Sequence, residues 1–141
     1  MDRSNARYQR LGYLALNVSD LERSARFYED IVGLQRSETR GNSVFFRCSD
    51  RHHDIVLHKA PTPGLKRIGW QMEAATQVQT LEQHFHGLGI PTQRVSNREA
   101  VDLAIDGGFR MREPTTGVLM EFYSHMDTAS EVFHPSHTKI E

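Results

Sequence analysis

The strongest constraint in the 141-residue sequence is a pattern that occurs twice, marked by Gly33-Leu34 and Gly89-Ile90 at an offset of 56 residues. In the first copy, Leu11 to Val18 reads as a strand closed by Ser-Asp. Ser19 and Glu22 form an S-x-x-E capping box, the mark of a helix start. Leu21, Tyr28, Ile31 and Val32 then recur at helical spacing, and Gly33 stands where a left-handed C-terminal cap belongs. Short strands are expected at 34–39, 43–48 and 55–58, separated by Gly41-Asn42 and Ser49-Asp50-Arg51. In the second copy a strand at 66–72 precedes Thr76 and Gln79, a T-x-x-Q box. Val78, Leu81, Phe85 and Leu88 follow on one helical face that stops near Gly87 and Gly89. Strands are expected at 91–95, at 101–105, at 109–112 and, after Glu113-Pro114-Thr115-Thr116-Gly117, at 118–123. Two copies are too few for a solenoid. The pattern predicts an α+β protein of paired βαβββ modules, whose mixed sheet forms a cup around one cavity. The expected bounds are an N-terminal segment at 1–9, one domain at 10–125 (modules 10–60 and 64–125), and a polar tail at 126–141.

Composition narrows the function classes. Seventeen basic residues face 18 acidic ones, a net charge of -1, so nothing suggests nucleic acid or an anionic membrane surface as partner. Apolar runs are only a few residues long, far short of the ~20 that cross a bilayer. The opening Met1-Asp2-Arg3-Ser4-Asn5 is polar, which argues against a secretory leader. The single cysteine, Cys48, excludes an internal disulfide and fits a reducing cytoplasm. Alternation places that thiol on the face of Val44 and Phe46, as a buried inert group. There is no G-x-S-x-G, P-loop, G-x-G-x-x-G or H-E-x-x-H pattern, and Gly107-Gly108 reads as a hairpin turn. Among the eight histidines, His52, His53 and His58 cluster, yet strand alternation puts His53 and His58 on opposite faces. For each, a hydrogen-bonded or surface role outweighs metal ligation.

Leu11-Gly12-Tyr13, Val18-Ser19-Asp20-Leu21-Glu22, Phe27-Tyr28-Glu29-Asp30 and Gly33-Leu34 resemble the opening of the vicinal oxygen chelate superfamily of glyoxalases, bleomycin resistance proteins and extradiol dioxygenases. Phe109 to Pro114, Gly117 and Met120-Glu121-Phe122-Tyr123 resemble its closing hairpin. More narrowly, His52 to His58, Pro63-Gly64-Leu65 and the tail Phe133 to Ile140 resemble the N-terminal domain of type I extradiol ring-cleavage dioxygenases, enzymes of aromatic catabolism. In those enzymes a comparable His-Thr-Lys-Ile leads into a second domain that carries iron on two histidines and a glutamate.

The resemblance implies that the metal-ligand positions fall here on Tyr13, Arg67 and Glu121. Of these only Glu121 suits a metal. A guanidinium has no lone pair to give and stays protonated, so Arg67 should repel a divalent cation. The expectation is a bidentate Arg67–Glu121 ion pair in the metal's place, with Tyr13 as a third hydrogen-bonding partner. The leading functional expectation is a noncatalytic domain without a cofactor of its own, inactive alone. It would pack on a missing C-terminal catalytic domain or on a second copy as a homodimer. Two alternatives stand beside it. One is a free-standing enzyme acting on a small aromatic substrate, with iron(II) or another divalent metal held by Glu121 and His53 or His58. The other is a metal-free binding protein of the bleomycin-resistance kind, holding a small aromatic ligand.

Overall fold

A computed structural model describes residues 3–130. The tail motif from Phe133 to Ile140 therefore lies outside the described residues. The chain divides into two compact units: one takes Arg67–Asp127 with the described residues before Tyr13, the other Tyr13–Lys66 with the described residues after Asp127.

In the Tyr13–Lys66 unit, β1 (Tyr8–Val18, begun in the other unit) leads into α1 (Leu21–Arg26), a π-helical turn (Phe27–Val32), and β2 (Gln35–Arg40), β3 (Ser43–Arg47) and β4 (Ile55–Lys59). The strands lie in the order β2-β3-β4-β1. β1 and β4 are parallel, with Leu14 opposite Ile55 and Val18 opposite Lys59, and the other pairings are antiparallel. A parallel pair needs a crossover, and the helix with the β2–β3 hairpin supplies it. Ala25 packs there on Val44, Phe46 and Leu57, with Leu21 and Tyr28 at the margin.

In the Arg67–Asp127 unit, β5 (Gly64–Met72), α2 (Ala75–Gly87), β6 (Gln93–Arg94), α3 (Asn97–Leu103), β7 (Phe109–Arg112) and β8 (Leu119–Tyr123) follow in turn. The strand order is β5-β8-β7-β6, with β5 and β8 parallel and the rest antiparallel. Met72, Leu81, Phe109, Met111 and Phe122 form the core between sheet and α2, joined by Val78, Phe85 and Trp70. Phe109 and Phe122 stack with ring centroids 5.0 Å apart, and Phe85 meets both edge-on. Each unit is thus a βαβββ module, the second with an extra short helix.

Several local expectations are corrected. The first helix is capped by Asp20, whose carboxylate accepts the Arg23 N–H, rather than by Ser19. Its last turn is π-helical, and i→i+5 bonding wraps more residues per turn, so the 3.6 period runs out of phase. Ile31 (74% exposed) and Val32 accordingly face solvent. Thr76 and Gln79 lie inside α2, which begins after Ala74 without a side-chain cap, and Leu88 falls beyond the helix and is exposed. The expected strand at 101–105 is instead the helix α3. Ser96 caps it by accepting the Glu99 N–H, and the helix buries Ala100 and Leu103, three residues apart. Cys48 is exposed because β3 ends at Arg47 and the thiol sits in the following bend.

Gly107 and Gly108 connect α3 to β7 instead of making a hairpin. Gly108 has φ 138°, and a Cβ there would run into the carbonyl oxygen of Phe122. Only glycine lets β7 lie this close to the end of β8.

Candidate functional site

Alternation along β5, β7 and β8 sorts the second module's side chains onto two faces. Phe109, Met111, Met72 and Phe122 turn toward α2, leaving Arg67, Arg110 and Glu121 on the other face. Sheet register then sets their meeting. Arg110 lies directly opposite Glu121 in the β7–β8 ladder, and Arg67 opposite Leu119 in the β5–β8 ladder.

Glu121 is fully buried. Its Oε2 accepts a hydrogen bond from Arg110 Nε at 2.8 Å and lies 3.6 Å from Arg67 Nε. Arg110 also donates from Nη1 to Glu99 Oε2 at 2.7 Å, tying α3 to the sheet. Burial works against the Arg110 cation, but the carboxylates of Glu121 and Glu99 outweigh it and hold its pKa above the ordinary arginine value. Arg67 is itself 3% exposed. Two guanidinium groups therefore flank one desolvated carboxylate, with Glu99 as a second carboxylate on Arg110, and neither arginine can serve as a ligand.

The expected site residues divide between the two units. Arg67 and Glu121 are brought together, though at 3.6 Å and through Nε, while the short direct contact comes from Arg110. Sequence reasoning passed over Arg110, and the signal that could have found it is its place opposite Glu121 once β7 and β8 are paired as a hairpin. Tyr13 belongs to the other unit, where its buried ring meets the His53 ring edge-on at 4.8 Å. His53 is fully buried among Tyr13, Phe45 and His52. His52 bridges it to Glu38, with Nδ1 2.9 Å from His53 Nδ1 and Nε2 2.7 Å from Glu38 Oε1. His58 Nδ1 lies 2.7 Å from Ser43 Oγ. Among the described residues, no three His, Cys, Asp or Glu side chains gather closely enough to hold a metal ion. The donor set around Glu121 does not fit a divalent cation, since its neighbours are cations without lone pairs. Among the described residues, no helix is long and apolar enough to cross a membrane.

A paired βαβββ fold with a carboxylate on the last strand of its second module defines a class, and the sequence model of the Glyoxalase/Bleomycin resistance protein/Dioxygenase superfamily matches residues 10–141. The chain belongs to that superfamily. It is 26% identical over 126 residues to the 1,2-dihydroxynaphthalene dioxygenase of Sphingobium xenophagum, covering 89% of this chain and 42% of that protein. It is 27% identical over 96 residues to the manganese-dependent 2,3-dihydroxybiphenyl 1,2-dioxygenase of Geobacillus genomosp. 3, covering 67% of this chain and 30% of the other. A crystal structure of catechol 2,3-dioxygenase superposes with a TM-score of 0.87 at 27% identity, covering 95% of this chain and 46% of that one. The chain thus spans less than half the length of these dioxygenases.

Proposed function

We propose that this chain is a noncatalytic domain of the extradiol-dioxygenase kind, one that packs against and supports a ring-cleaving domain and binds no iron or manganese of its own. The observation that carries the reading is the Glu121 carboxylate held by Arg110 and flanked by Arg67. One of the dioxygenase relatives is named as manganese-dependent. A metal at Glu121 would have to displace the Arg110 Nε–H from the carboxylate and sit beside two fixed positive charges. The share of the relatives' length that the chain spans is what a single such domain would cover. The supporting partner is a catalytic domain of the same superfamily, with a second copy of this chain as the other occupant of the same surface. The setting is the cytoplasmic breakdown of aromatic compounds.

The test is anaerobic reconstitution of the purified chain with iron(II), followed by metal analysis and an absorbance assay for ring-opened product from catechol and 2,3-dihydroxybiphenyl. The reading expects iron well below one equivalent and no product. Stoichiometric iron with turnover would overturn it.

A further inference from the structure

A cleft of about 540 Å³ opens within the Arg67–Asp127 unit, beside β6 and β7. Arg94, Arg110 and Arg112 line it together with Glu99, and Ile90 and Leu119 give it an apolar wall. Three arginines in one small cleft would repel one another unless matched, so their partners decide what the cleft can take. Arg94 Nη2 meets Glu82 at 2.8 Å, and Arg110 is shared between Glu121 and Glu99. Arg112 meets no carboxylate among the described residues; its Nη1 donates only to the Gly117 carbonyl at 3.0 Å. Arg112 is therefore the arginine of this cleft whose positive charge meets no carboxylate among the described residues. Arg110 keeps one donor unspent, because its Nη2 is shut off from solvent and has no hydrogen-bond partner among the described residues.

We propose that this cleft binds a small organic carboxylate with an apolar or aromatic body, its carboxylate on Arg112 and its body against Ile90 and Leu119. The planar fork of a guanidinium matches a carboxylate's two oxygens, and Arg112 has donors left to offer. One uncompensated positive charge suits a monoanion. A dianion such as phosphate would leave a surplus negative charge beside the Glu99 carboxylate. The apolar wall adds the contact area that a bare inorganic anion cannot use. The inference does not depend on the absence of metal at Glu121, and its readout is ligand binding alone.

The experiment is a ¹H–¹⁵N NMR titration of the full chain with sodium benzoate, with benzamide as the neutral isostere and inorganic phosphate as the dianionic control. The expected result is saturable benzoate shifts confined to amides of residues 90, 92–94, 99, 110–112 and 119. Benzamide and phosphate should each bind at least about tenfold more weakly, the loss expected for one charge-assisted hydrogen-bond pair. Arg112→Met should weaken benzoate by about tenfold or more on the same grounds, and since Arg112 is exposed the variant should keep the native amide spectrum. Equal binding of benzamide, tighter binding of phosphate, shifts centred elsewhere, unaltered affinity in Arg112→Met, or no shifts at tens of millimolar benzoate would each overturn the proposal.

Discussion

Removing Arg110 asks the most of the buried cluster. In Arg110→Met the fully buried Glu121 carboxylate loses its 2.8 Å hydrogen bond and keeps Arg67, whose Nε lies 3.6 Å away. Breaking a buried ion pair from one side costs about 3–5 kcal/mol because a charge is stranded without solvent. The remaining guanidinium recovers part of that, so the expected loss is near the lower end, about 3 kcal/mol. Glu121→Gln takes the shared carboxylate charge from the two arginines instead, and its loss should be smaller, about 2 kcal/mol, since Arg110 keeps Glu99 at 2.7 Å. The double variant removes both charges of the short pair and should be less destabilised than the two single losses together by about 1.5–3 kcal/mol, as expected for residues in one network. Urea unfolding of the four proteins, with m-values compared, measures this coupling. Additivity within about 0.5 kcal/mol would refute the reasoning, because it would mean that Glu121 and Arg110 do not see each other's charge.

Three further outcomes follow from the same structure. Leu81→Ala should cost about 2–5 kcal/mol, as Leu81 is 1% exposed in the second module's core, whereas Leu88→Ala, at an exposed position past the helix end, should stay within about 0.5 kcal/mol by thermal or urea unfolding. The Glu113 carboxylate accepts the backbone N–H groups of Thr116 and Thr115, which hold its pKa below the ordinary carboxylate value. The stability it adds is therefore present above its unfolded pKa of about 4.3 and lost as pH falls through the lower folded value; Glu113→Gln should flatten that acid limb, and an unchanged limb would exclude the contribution. Partial burial, reinforced by the Asp54 carboxylate, pushes the Cys48 thiol up, so this exposed cysteine should react with a disulfide reagent more slowly than a free thiol at pH 8. Asp54→Asn should speed that reaction, and an unaltered rate would remove Asp54 from the explanation.

What could be read from the sequence, and what could not, follows from how local each signal is. Strand positions such as 43–48, 55–58 and 118–123 emerged within a residue or two because turn residues bound them and each buries a face. Arg67 and Glu121 fall on one sheet face, which strand alternation could foresee. Arg110 escaped because its role depends on register between two strands, which pairing sets and local pattern does not. Helix α3 was lost to the alternation of Val101, Leu103 and Ile105, a period-2 pattern that Ser96 and Glu99 should have overruled. The π-helical turn leaves no mark in a 3.6 period, so Ile31 and Val32 looked buried and are exposed. Cys48 shows the same limit from the other side, since alternation holds only while the strand continues, and this one ends at Arg47.

The central claim, that arginines stand where a metal would bind Glu121, is tested most directly by manganese(II) electron paramagnetic resonance on the full chain. Aqueous manganese(II) shows a sharp six-line signal that fades when protein oxygen and nitrogen ligands replace water. The account predicts that the signal with one equivalent of protein keeps the amplitude it has in buffer. Quenching that saturates at one equivalent, and that Glu121→Gln abolishes, would contradict it.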